Sequence, residues 1–485
     1  MNPFTHPFFN GKSLDDWLSP ILVKELRQGM RARVFIISFL LLQVFLVVLV
    51  LGNLAAKDDT STLDFQNHFF WIILGFALLV LMPMRGLVAM SLEIKNRTME
   101  TIMLTRLTAW RVVFGKWSAL FAQSLLLVSA VLPYIVLRYF IGGDDVVSDF
   151  EWILLMLWFS GILIAASIAV SALGSPVMRI VILVAIIVGI VNGIDDFVPR
   201  GVGLAKPWEI VGWLFILGLF IPALLFELTA SGIAPVSENH AIRRRLLAGF
   251  FFAASCGLAG ISGSGFQAGV IVSLLILIGV CYYELAEKPR LVPRMIQALA
   301  RKGWWGRIAG LLLLPGWPSA FLFSLVVIPS AMIVYFQFVP PDIRAPWIFS
   351  IFAVMGSVLT PILICHLFWP KTNQVLLMIV LYNVVLTALT SILEGFASLT
   401  HFPVDKVFAF LPSVPVMMVA MQADAQAVSD SAAWYLIGNG SVLVLIIIAL
   451  LWGSRTYYRE LNVLFRSTPS LNSSAEMAES AQAAL

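Results

Sequence analysis

The chain has 485 residues, of which 60% are hydrophobic and only 12% charged, with a formal net charge of +4 and a mean hydropathy of +0.94. Soluble domains carry about a quarter of their residues as charges, so an ordinary soluble fold is excluded. The longest polar-leaning pieces run about 30 to 40 residues, short of the ~50 that a separate catalytic domain needs.

A sequence pI near 9.0 raises nucleic acid as a partner, but the basic residues stand in short blocks beside apolar runs. That is the pattern of membrane topology, and no nucleic-acid partner is expected. Cys256, Cys281 and Cys365 are scattered within apolar runs and read as small core residues. The histidines at 6, 68, 240, 366 and 401 show no ligand spacing, so no metal site is expected.

Taken in order, residues 1–33 form a cytoplasmic segment. Ser19 suits a helix N-cap and Pro20 the first helical position. Leu18, Ile21, Leu22, Leu26 and Met30 mark an apolar face, opposite Lys24, Glu25, Arg27, Gln28 and Arg31. Such a helix lies in the membrane interface. A first transmembrane unit follows at 34–228, with spans at Val34–Leu54, Phe69–Ser91, Trp117–Phe140, Trp152–Gly174, Val177–Ile194 and Trp208–Leu228. Residues 229–245 are a basic cytoplasmic linker. A second unit, 246–453, holds spans at Leu246–Gly265, Phe266–Leu285, Pro318–Phe338, Trp347–Phe368, Gln374–Gly395 and Trp434–Gly453. Residues 454–485 read as a cytoplasmic, disordered tail. The fold class is thus an all-α integral membrane protein of about 12 transmembrane helices, laid out as two tandem six-span units. With both termini cytoplasmic, only Lys57, Arg138, Arg200, Lys206, Arg344 and Lys406 fall outside.

Two cytoplasmic loops stand out, at 92–116 and 286–315. In the first, Thr98 can cap a short helix with Glu100 in its first turn, and Met99, Ile102 and Met103 form its apolar face. Thr105, Arg106 and Leu107 interrupt it, and Thr108 can cap the next helix. In the second loop Met295, Ile296 and Leu299 face one way, and Arg294, Gln297, Arg301 and Lys302 the other.

Charges within spans would signal ion coupling. Arg85, Arg179, Asp195, Asp196, Glu227, Glu284 and Glu394 lie toward span ends and are expected to reach water. Trp71, Trp117, Trp152, Trp208, Trp347 and Trp434 read as an aromatic belt. Gly189 with Gly193, and Gly161 with Ala165, permit close helix contact, and Pro133, Pro222, Pro329 and Pro361 read as kinks.

The run from Ser19 to Arg27, including Pro20, Lys24, Glu25, Leu26 and Arg27, resembles the N-terminal interfacial segment of exporter-type ABC transporter permeases, the ABC type 2 class. Glu93, Thr98, Glu100, Thr101, Leu104, Thr105, Leu107, Trp110, Arg111, Gly115 and Lys116 resemble the loop that such permeases set against their ATPase. Arg97 stands where that family usually has Gly, and Arg106 where it usually has Pro. The resemblance covers roughly Ser19 to Gly143. It implies docking of an ABC-type ATPase through Glu93, Thr98, Met99, Glu100, Thr101, Ile102, Met103, Leu104 and Thr105. It further implies two ATPase copies, a possible pairing with another permease copy, and export across the cytoplasmic membrane.

ATP and magnesium then belong to the partner, and no cofactor is expected in this chain. Gly11-Lys12-Ser13 lacks the glycine that would complete a phosphate cradle (His6 stands there), and Trp117 follows Gly115-Lys116. The protein is therefore not expected to be an enzyme by itself. An ion-coupled carrier and a non-transporting membrane scaffold are the rival readings.

Overall fold

The computed structural model describes residues 20–55, 60–95, 108–142, 146–172, 207–234, 238–262, 267–289, 291–301, 303–338, 344–368, 375–400 and 425–467. These residues are helical with short connecting turns and no strand among them. In lipid each backbone polar group must be satisfied within its own segment, and helices do this. Among the described residues, eight helices are long and apolar enough to cross a membrane: Arg33–Gly52, His68–Ala89, Ala109–Phe140, Val146–Ser171, Val211–Ile233, Ala241–Ile261, Trp317–Phe336 and Ile437–Phe465. Gly269–Leu285, Ile351–His366 and Leu377–Thr390 are shorter apolar helices. Each overlaps a predicted span, and the protein is a multi-pass membrane protein. The predicted span Val177–Ile194 lies outside the described residues.

The chain divides into two compact units, Met1–Gly203 with Leu217–Pro235, and Leu204–Ile216 with Val236–Leu485. In the first, α1 (Pro20–Met30) leads to α2 (Arg33–Ala55). The next crossing is built from α3 (Thr60–Gly75), a π-helical turn (Phe76–Leu81) and α4 (Met82–Ala89), and α5 (Ser91–Lys95) follows it. Then come α6 (Ala109–Gly142), α7 (Val146–Ser171) and the later part of α8 (Pro207–Ile233).

The π turn has an identifiable cause. The Met82 N–H bonds to the Ala77 carbonyl, five residues back. The next donor in that register would be residue 83, serving Leu78, but Pro83 has no N–H. The Ser160 hydroxyl of α7 donates to the Leu78 carbonyl instead, at 2.8 Å. Side-chain hydroxyls re-satisfy freed backbone groups in membranes in this way. Close packing of α4 on α7 makes the bond possible: a Cβ on Gly86 would stand 2.9 Å from the Ser167 Cβ.

In the second unit the first part of α8 sets Trp213 parallel to Phe251, with centroids 6.1 Å apart. The remaining helices are α9 (Ala241–Ser262), α10 (Gln267–Leu285), α11 (Pro293–Ala300), α12 (Gly303–Leu313), α13 (Trp317–Phe336), α14 (Arg344–Phe368), α15 (Val375–Thr400) and α16 (Ala425–Ser467). α9 packs along α10, α10 on α13, and α14 on α16. Gly316, at φ +118°, turns the chain from α12 into α13; a side chain there would strike Pro289.

The last helix extends into the first part of the expected tail, residues 454–467, while residues 468–485 lie outside the described residues. α16 does not stop at Gly453 but continues through 43 residues to Ser467. Tyr457, Leu461 and Phe465 recur every four residues and form one buried cluster with Ile296 of α11 and Leu314. Met295 and Leu299 pack against that cluster, while Gln297 and Arg301 stay exposed, as the second loop's periodicity predicts. The contact brings the 293–314 region and the end of α16 together.

Candidate functional site

Much of the predicted docking loop lies outside the described residues: Thr98, Met99, Glu100, Thr101, Ile102, Met103, Leu104 and Thr105. Its two roots are described. Glu93 sits on α5, and α6 begins at Ala109, directly after Thr108, whose carbonyl accepts the Val112 N–H at 3.3 Å. The segments are joined by a side chain that local pattern could not single out. Lys116 of α6 is 4% exposed, and its Nζ lies 2.7 Å from Glu93 Oε1 and 2.9 Å from Glu25 Oε1 of α1. One ammonium therefore ties the loop's entry, its exit helix and the interfacial helix. Charge-assisted bonds of this length are the strong class.

The helix expected at the membrane interface rests on protein. α1 packs along α6, where Ile21 lies over Gly115; a Cβ there would come within 2.8 Å of the Ile21 Cγ2. Pro20 opens α1, Leu26 is half-buried, and Lys24 and Arg27 are exposed. Glu25, expected on the solvated face with Lys24 and Arg27, instead turns partly inward to Lys116.

Above this junction α6 carries an aromatic column. Trp110 and Phe114 stack with centroids 5.5 Å apart, and Trp117 and Phe121 at 5.0 Å. Phe226 of α8 meets Trp110, Phe114 and Trp117 edge-on. Trp117 also donates its indole N–H to the Gly161 carbonyl at 2.8 Å. Trp117, read from sequence as part of an aromatic belt, thus also packs within the unit, and the close approach at Gly161 is that of Phe121. The spacing of 110, 114, 117 and 121 carried this signal in the sequence.

Beside the junction is a cavity of about 720 Å³, lined by residues of α1, α2, α4, α5 and α6. Arg85 of α4 reaches it and donates to the Gln123 side-chain oxygen, and to the Gly29 carbonyl at 3.1 Å. A side chain at Gly29 would overlap the Gln123 amide.

A second charged centre lies in the other unit. Arg244 and Arg245, read from sequence as cytoplasmic flanking charges, are wholly buried within α9. Arg244 Nε lies 3.2 Å from Glu284 Oε1, and its Nη2 lies 2.8 Å from Glu287 Oε2. Arg245 pairs with the other Glu284 oxygen and donates to the Leu312 carbonyl. The expectation that Glu227 and Glu284 reach water is corrected as well. Glu227 and Glu284 are each 1% exposed, and Arg85 is half-buried. The Glu284 partners come from α9, remote in sequence, which position within a span does not reveal. Arg138, expected in an exterior segment, is 4% exposed, lies 3.4 Å from Asp149 and stands 4.3 Å over the Phe70 ring. Arg179, Asp195, Asp196 and the Glu394 side chain lie outside the described residues.

Among the described residues no group of three or more His, Cys, Asp or Glu is placed to hold a metal ion. Cys256, Cys281 and Cys365 are free thiols. Compared with known proteins, the chain matches no family model, no curated protein and no solved structure.

Proposed function

We propose that the protein is the transmembrane permease subunit of an ATP-binding cassette transporter. It exports its substrate across the cytoplasmic membrane, powered by separate ATPase subunits that bind ATP and magnesium. The observation that carries this reading is the Lys116 junction. A force applied to residues 96–107 by a bound ATPase would enter at Glu93 and Ala109. It would pass together to α1, through Glu25, and to the aromatic column of α6. A polar loop rooted in this way supports transmission into the spans. The resemblance of Ser19–Arg27 and Glu93–Lys116 to exporter permeases supplies the kind of partner.

The test is a double substitution, Glu100→Arg with Ile102→Asp, in the full chain coexpressed with its ATPase. The expected result is loss of transport-linked ATPase stimulation with unchanged protein in the membrane. Undiminished stimulation would overturn the docking role.

Glu227 favours a second reading, a carrier driven by an ion gradient, because it is a carboxylate 1% exposed within the span Val211–Ile233. A protonophore would stop such a carrier at constant ATP and leave the ATP-driven exporter running.

A further inference from the structure

Arg85 presents a physical problem that its neighbours leave open. It lies four residues inside the cytoplasmic end of the span His68–Ala89, about 6 Å along the helix axis. A charge at that depth is costly unless an opposite charge or a polar cavity receives it. Arg85 has an amide partner, a carbonyl partner and the Phe35 ring, 5.2 Å from its guanidinium carbon. Among the described residues it has no carboxylate within ion-pair distance. The cavity's own carboxylates, Glu25 and Glu93, are held by Lys116. A guanidinium has five N–H donors in a planar fork, and two bonds leave donors over for a carboxylate or phosphate oxyanion.

The surroundings state what kind of anion fits. Leu81, Met84, Arg85 and Val88 share one stripe of the crossing, and all four line the 720 Å³ cavity. Met84 and Val88 also open outward, 54% and 49% exposed, with Val34 of α2 beside them at 65%. In a bilayer that surface faces acyl chains. The cavity therefore has a cationic inner end, reinforced by the exposed Lys24, and an apolar lip continuous with the lipid face. A small soluble anion would use the first and gain nothing from the second.

We propose that this cavity is a binding site for an anionic phospholipid of the cytoplasmic leaflet. Its phosphate is held by Arg85 and Lys24, and its first acyl segments lie over Val34, Met84 and Val88. The shared chemistry is a phosphate monoanion, and the apolar lip selects the lipid over free phosphate. The site stands whether or not an ATPase docks nearby.

The test uses purified full-length protein in detergent and tail-labelled phosphatidylglycerol, with phosphatidylcholine as the zwitterionic comparison and inorganic phosphate as the soluble competitor. Native protein is expected to prefer phosphatidylglycerol by about tenfold, because phosphatidylcholine brings the same phosphate but sets a quaternary ammonium against the cationic end of the site. Arg85→Gln should erase that preference and Arg85→Lys should restore part of it. Val88→Trp, which fills the lip and spares the guanidinium, should weaken phosphatidylglycerol binding, while millimolar phosphate should not displace the lipid. Equal binding of the two lipids by native protein would overturn the proposal, as would an unchanged preference in Arg85→Gln or in Val88→Trp. Displacement by phosphate alone would replace the lipid with a small anion.

Discussion

The two units solve the same electrostatic problem with opposite signs. In the first, one cation, Lys116, lies between two carboxylates, Glu25 and Glu93, whose side chains are 22% and 17% exposed. In the second, the carboxylate Glu284 lies between two guanidiniums, all three at most 1% exposed, and Arg244 also bonds Glu287, whose side chain is 24% exposed. The first centre joins short segments at the membrane face and keeps contact with water. The second joins α9 to α10 and, through the Leu312 carbonyl, to α12. A centre that water reaches can exchange partners at modest cost, whereas a sealed one cannot. The first unit therefore holds the adjustable joint and the second the fixed one.

That contrast predicts unequal responses to neutralisation. Glu284→Gln leaves Arg245 without its buried carboxylate and Arg244 with Glu287 alone, and should cost about 3–5 kcal/mol, as for breaking other buried pairs. It should be seen as loss of folded protein or a large fall in detergent melting temperature. Adding Arg244→Met and Arg245→Met should recover much of that loss, since an apolar replacement of a buried set is often neutral. A Glu284→Gln protein as stable as the parent would erase the distinction between the centres.

Lys116→Met should cost less, about 2 kcal/mol, because water partly solvates the two carboxylates it abandons. Its larger effect should fall on the link between α1 and the loop roots. An engineered cysteine at Lys24 should become more reactive to a soluble maleimide, with the melting temperature only modestly lowered. If reactivity does not change, the ammonium is not what holds α1 in place.

The smallest effect concerns the seat of α1. Gly115→Val should displace Ile21 at a cost of about 1 kcal/mol, near the low end for overpacking. Ile21→Ala should largely rescue it. An additive double mutant, read by melting temperature, would mean that α1 does not rest on Gly115.

Much of the architecture could be read from the sequence because long apolar runs report burial in lipid directly. The amphipathic faces of Pro20–Met30 and Pro293–Ala300 were equally legible, since helical period is local information. Pairings across the chain were not. Arg244 and Arg245 follow Arg243 in a run that looks like a topological signal, and only their meeting with Glu284, about 40 residues on, makes them interior. The π turn was hidden for a related reason. Pro83 was available to be noticed, but Ser160, 82 residues from Leu78, decides how the freed carbonyl is satisfied. In α16, Gly453 and Arg455 end the hydropathy signal without ending the helix. Helix continuation depends on the buried Tyr457, Leu461 and Phe465, whose partners lie on α11 and beside α12.

The length of α16 has a mechanical corollary. Its 43 residues amount to a rod of about 64 Å, roughly twice the hydrocarbon thickness of a bilayer. One end is clamped by Ile296 and Leu314. Pivoting about that clamp by about 10° would sweep the far tip through about 11 Å, with no bond broken along a rod of that length. A shift of Pro293–Ala300 would therefore act on the end of a long helix whose packing along α14 resists the swing.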